Sequence, residues 1–180
     1  MSATCLSRPP ERTPFGEAVQ LRPLESGDRA SVLEIFAGLG PRSRELRFLT
    51  PKPRLSSADL HQLTAVDHHD HVAILAVSGR QGRPIGIARF VRDPERPDTA
   101  DVAVAVVDPW QDRGVGTLLV SALTERALEV GVHRFTLVMD QDNEGAVRLL
   151  HRTAGDISRV AMDLETAEFV VTLDAAGVRP

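Results

Sequence analysis

The chain has 180 residues, 42% of them apolar, and a formal charge of −4, enough to bury one core without metals or disulfides and too little positive charge to grip nucleic acid by counterion release. Its one cysteine, Cys5, excludes an internal disulfide, and neither an apolar leader nor a run near the roughly 18 residues of a spanning helix stands out. The expectation is a cytoplasmic protein with neither nucleic acid nor membrane as partner, and no pattern in the chain fixes an oligomeric state.

Residues 1–17 set Pro9, Pro10 and Pro14 among polar side chains and read as a flexible or loosely docked arm. Residues 18–175 read as one domain and 176–180 as a tail. Residues 19–24 predict a strand, and Ser26, Gly27 and Asp28 a turn into a helix. Ala30, Val32, Leu33, Ile35, Phe36 and Leu39 follow at near-helical spacing until Gly38, Gly40 and Pro41 stop it. Residues 41–55 are basic, carry three prolines, and read as a short helix and loop. Residues 56–66 read as a helix with Ser56 or Ser57 as N-cap.

Residues 72–77 and 84–92 predict an antiparallel hairpin, and 99–107 a third strand beside them. A helix over 117–130 stops at Gly131. Residues 134–140 follow as a strand, 144–154 as a helix, and 159–164 with 168–173 as a closing hairpin. The order makes an α/β or α+β domain with a mixed sheet.

Between the third strand and the long helix lies QDRGVG, residues 111–116. A helix start offers N–H groups without intrahelical partners and a partial positive charge. Gly114 and Gly116 either only permit a tight turn or let a phosphate group approach those N–H groups, with Arg113 adding charge and Thr117 a hydroxyl. The third position of a dinucleotide fingerprint is Leu119, and no Gly-Lys-Ser/Thr follows for a nucleoside triphosphate.

With the strand before it, Gln111-Asp112-Arg113-Gly114-Val115-Gly116 resembles the Q/R-x-x-G-x-G/A signature of the GCN5-related N-acetyltransferases (GNAT). DNEGAVRLL, with Asn143, resembles that superfamily's second signature. The stretch from Leu46 through HHDHVAI, with GIARFVRDP and DPWQDRGVGTLL, resembles the acetyltransferase domain of bacterial Pat-type protein-lysine acetyltransferases. The resemblance implies a GNAT fold, a central mixed, mostly antiparallel sheet flanked by helices. It implies acetyl-CoA as co-substrate without a metal, its pyrophosphate on residues 111–117 and its pantetheine arm pairing with the backbone of Val106 and Val107. The acceptor would be a protein lysine or a small-molecule amine, attacking the thioester directly with general-base assistance.

The same resemblance puts the base at Asp101, where relatives carry glutamate. The residue is either a catalytic carboxylate, its pKa raised by burial in the cleft, or an exposed aspartate at a strand end. The superfamily's tyrosine acid is missing, since the chain contains no tyrosine; Leu150 stands nearest that position. A thiolate leaving group of modest basicity, about 8.5, lets water protonate it. A non-catalytic acyl-CoA-binding module is the alternative. The second signature ends on Thr153-Ala154-Gly155-Asp156, its glycine one place late. His68, His69, Asp70 and His71 read as a polar turn before a strand in preference to a metal site. Arg42, Arg44, Arg47, Lys52 and Arg54 form either a basic lip for the CoA 3′-phosphate or an acidic acceptor protein, or a solvated loop.

Overall fold

The computed structural model describes residues 10–79, 82–140, 143–153, 156–162 and 165–173. Cys5, residues 1–9 of the arm, the tail at 176–180, Ala154, Gly155 and the end of the 159–164 segment lie outside the described residues. The strands are β1 Glu11–Arg12, β2 Ala18–Pro23, β3 His71–Ser78, β4 Arg83–Arg92, β5 Thr99–Val106, β6 Arg134–Asp140, β7 Ile157–Met162 and β8 Thr166–Thr172. The helices are α1 Arg29–Gly38, α2 Pro41–Phe48, α3 Ser57–Thr64, α4 Val115–Glu129 and α5 Glu144–Thr153. No helix among the described residues is long and apolar enough to cross a membrane.

The eight strands form one sheet in the order β1-β2-β3-β4-β5-β6-β8-β7. Every neighbouring pair is antiparallel except β5 with β6. This is the GNAT-like α/β arrangement the resemblance implies. β3 reads HVAILAVS, nearly all buried, as a central strand covered on both faces must. Alternation along β5 fixes the two layers. Val107, just past its end, meets α1, where a Cβ on Gly38 would come within 2.7 Å of Val107 Cγ1. Val106 faces the other way, toward Gly116 of α4. Leu119 and Leu123 anchor α4 at 0% exposure, each contributing about 1.5–3 kcal/mol of burial.

The structure corrects two expectations and adds the order of the closing strands. Residues 10–17 are not a loose arm: Glu11 and Arg12 pair with Val19 and Ala18, and Thr13 is buried. Its backbone accepts from Gly16 and donates to Glu17, closing a turn. The long helix begins at Val115 rather than 117, so Gly116 is its second residue. The closing hairpin enters the sheet by its second strand, with β8 between β6 and β7.

Candidate functional site

β5 and β6 pair only where they begin, residues 99–101 against 134–136. Beyond that the ladder ends and a cleft opens with two chambers. One, of about 440 Å³, reaches from Trp110 and the start of α4 to Arg148 and Arg152 on α5. The other, of about 420 Å³, is apolar along β6, with Asp101, Thr124 and Thr136 among its few polar groups. Leu46, Arg47, Val104, Asn143, Ala146 and Leu149 line both.

The turn at the first chamber carries two left-handed residues, Asp112 at φ 56° and Gly114 at φ 86°. Gly114 is the N-cap of α4 and contributes no side chain to the cap. Its carbonyl accepts from Leu118 N at 3.1 Å. Among the described residues, no hydrogen bond takes the N–H groups of Val115, Gly116 or Thr117. They form the exposed positive end of the helix dipole. Gly116, Thr117, Gly114 and Asp112 line the chamber, while the Val115 side chain is fully buried. Gly116 also leaves room for α5, where an added Cβ would stand 3.4 Å from Leu149 Cδ2.

Gln111 holds the turn together. Its Nε2 donates to Val106 O at 3.0 Å, Asp108 Oδ1 at 3.2 Å and Ser43 Oγ at 3.2 Å. The other Asp108 oxygen accepts from Gly40 N at 3.0 Å, tying the start of α2 to the same point. A Cβ on Gly40 would sit 2.5 Å from that oxygen, so the glycine there serves this clamp. Sequence reading did not find it, nor the 3-10 turn at Asp108–Trp110 that forms it.

Two expected positions turn away from the cleft. Val107 spends its N–H on Ile85 O at 3.0 Å and its carbonyl on Trp110 N at 2.8 Å, so it has no backbone group to offer. Alternate residues of a strand point their polar groups to opposite sides, which leaves Val104 and Val106 facing the open edge. Arg113 is not on the cleft wall: its guanidinium pairs with Glu17 at 2.5 Å and lies over the Trp110 ring at 5.7 Å. Glu17 Oε2 is buried there without a partner.

Asn143 lines both chambers, but its Oδ1 accepts from Ala146 N at 3.0 Å, so its side chain caps α5. Asp101 is exposed. It borders the second chamber, where Thr136 Oγ1 donates to its Oδ1. Leu150 lines that chamber too. Of the basic segment, only Arg47 reaches the cleft. Arg44 Nε caps the end of α1 through Phe36 O at 3.2 Å, Arg42 contacts Glu45 and Asp140, and Lys52 pairs with Asp59 at 2.7 Å. Arg148 and Arg152, missed from sequence, are the basic groups α5 turns into the first chamber; they stand four apart on one helix face.

The histidine run is a turn closed by Asp67, whose Oδ1 accepts from the N–H groups of His69, Asp70 and His71 at 2.8–2.9 Å. His68 contacts Glu25 and His69 contacts Asp70. Among the described residues no three His, Cys, Asp or Glu side chains are grouped to hold a metal ion.

The pattern of the Acetyltransferase (GNAT) family matches residues 41–155. The chain is 33% identical over 143 residues to Acetyltransferase Pat of Mycolicibacterium smegmatis, covering 79% of this chain and 43% of that protein. It is 30% identical over 118 residues to Acetyltransferase PA5475 of Pseudomonas aeruginosa, covering 64% of this chain and 63% of that one. The chain thus spans less than two thirds of either curated relative. Among solved structures, the GNAT domain of S. lividans PAT superposes with a TM-score of 0.83 at 25% identity, over 91% of this chain and 96% of that one.

Proposed function

The chain belongs to the acetyltransferase (GNAT) family, and from that membership we propose that it transfers the acetyl group of acetyl-CoA to a primary amine, with a protein lysine side chain as acceptor. The observation that carries the proposal is the row of unpartnered N–H groups at 115–117 at one end of a continuous cleft, with the Asp101 carboxylate at the other. Helix N-termini of this kind take phosphate. Arg152 adds positive charge on the facing wall, where Arg148 pairs with Glu144 at 3.0 Å. Val104 and the N–H of Val106 offer an open strand edge between the two ends, suited to the amide groups of a pantetheine arm.

In this reading the second chamber receives the amine. Asp101, exposed at its border, takes the amine's proton through water. The neutral nitrogen then bonds to the thioester carbonyl carbon and passes its second proton to water, the C–S bond breaks, and CoA leaves as a thiolate protonated by solvent. Leu150 at the position of the usual acid makes solvent the proton source. The apolar walls keep the nucleophile neutral, and alignment of amine and thioester supplies much of the rate. The lysine acceptor follows from the Pat-like stretch, with a small-molecule amine as its rival.

The test is thiol release from acetyl-CoA with a panel of amines and lysine peptides, beside acetyl-CoA binding by calorimetry. Wild type should turn over, and Asp101→Ala should lose about 10²–10⁴-fold in kcat with acetyl-CoA affinity unchanged. Tight binding without turnover on any amine would make the protein an acyl-CoA-binding module instead. Absence of binding would overturn the site itself.

A further inference from the structure

Arg47 is the one basic residue at the junction of the two chambers. It is half-buried, and among the described residues neither it nor Arg89 pairs with a carboxylate. Its guanidinium carbon lies 5.0 Å from the centre of the Phe48 ring. Arg89 lies on β4 directly across from Ala103, itself part of the second chamber's wall. Burial and the nearby Arg89 charge pull the Arg47 guanidinium down to about 10, so it remains charged at neutral pH beside a second cation. A half-buried cation with no counter-ion is costly, and an anion arriving in the cleft removes that cost. Burial and the Arg89 charge lower the pKa of His71, and its Nε2 is buried without a partner; it supplies no negative charge.

The anion has to come from the acceptor. Under the acetyltransferase reading, on which this inference rests, the phosphates of CoA lie at the start of α4, and the part of CoA reaching the junction is the uncharged pantetheine and thioester. The second chamber offers Asp101 for an amine and Arg47 for an anion, with apolar wall between them. We propose that Arg47 selects the acceptor by pairing with a carboxylate carried close to the attacking amine. Two sources share that chemistry: an acidic side chain beside an acceptor lysine, and the main-chain carboxylate of a free amino acid.

The experiment compares matched acceptors: a lysine peptide with a neighbouring Glu against the same peptide with Gln, and free lysine against lysine amide. Each pair is run with wild type, Arg47→Gln and Arg47→Lys, with acetyl-CoA affinity measured in parallel. Wild type should favour one carboxylate member by about 10- to 100-fold in kcat/KM, the range for a charge-assisted pair. Preference in the peptide pair identifies an acidic neighbour, and preference in the free pair identifies the main-chain carboxylate. Arg47→Gln should bring the ratio to about one with acetyl-CoA affinity intact, and Arg47→Lys should keep part of it. Equal rates on both members in wild type overturn the assignment, as does Arg47→Gln slowing both members alike, which would make Arg47 a stabiliser of the reacting oxyanion. Should Arg47→Gln fail to fold, the wild-type and Arg47→Lys ratios decide. Acetyl-CoA binding with no turnover on any amine overturns the acetyltransferase reading as well, so the two failures are told apart.

Discussion

Gly114 and Gly116 stand two apart in the sequence, and the fold needs a glycine only at the first. At φ 86° an L side chain at 114 is strained, and its Cβ would meet Pro14 Cδ at 2.7 Å. The residue that spoils this turn also pushes away the chain segment packed behind it, where Glu17 holds Arg113. At 116 the conformation is helical and the nearest atoms are at ordinary contact distance. Gly114→Ala should therefore destabilise the fold by about 1–2 kcal/mol or more. Gly116→Ala should change it by less than about 0.5 kcal/mol or stabilise slightly, as alanine is the better helix former. Urea unfolding of the two variants checks the contrast; equal losses would mean that strain at 114 is not what its glycine relieves.

At the scale of elements, α3 has a cap complete enough to be tested by pH. Ser56 Oγ accepts from Asp59 N at 3.1 Å while the Asp59 carboxylate accepts from Ser56 N at 2.8 Å, a reciprocal capping box. Lys52, with help from the Ser56 groups, holds the Asp59 carboxyl down to about 2, below its ordinary value near 3.9. A lowered pKa contributes stability that is complete above the ordinary value and is lost as pH falls through the folded one. Asp59→Asn should lower Tm at pH 7, and its difference from wild type should shrink between pH 4 and pH 2. A constant difference over that window would show that the charge of Asp59 is not what stabilises α3.

Such elements were legible because their signals are local. The apolar run of β3, the helical spacing before Gly38, and Ser56 ahead of its helix each act within a few residues. What stayed hidden depends on distant partners. Nothing near Val107 announces that its N–H goes to Ile85, and nothing near Arg113 that Glu17 claims it. Residues 10–17 look unstructured alone because what orders them is the edge of β2. The turn at 111–117 and Asp101 stood out in sequence as candidates, whereas Arg47, Arg148 and Arg152 acquire a shared cleft only once α2 and α5 are folded over the gap between β5 and β6.

For the whole molecule, that gap is the feature that matters. β1 to β5 form one block and β6, β8 and β7 another, joined within the sheet only by residues 99–101 against 134–136. The first block is backed by α1 and α4, with β3 and β4 buried through most of their length. The second has an edge strand, β7, that is exposed along nearly all of it; Phe135 and Val171 reach the main core, and the rest is a small core of Met139, Ala167 and Phe169 against α5. A block with less buried surface and a narrow attachment opens at lower free energy than its neighbour. Amides of β6 and β8 should thus exchange with deuterium faster than those of β3 and β4. The candidate site draws one wall from each block, so acetyl-CoA bound in it bridges them and binds only when they are joined. At 100 times Kd such a ligand adds about 2.7 kcal/mol to the closed state. Exchange in β6 and β8 should slow by about 100-fold, with little change in β3 amides that exchange without separation of the blocks. Slowing spread evenly over the sheet would mean the two blocks open as one, and that the cleft is a fixed groove rather than a seam closed by its ligand.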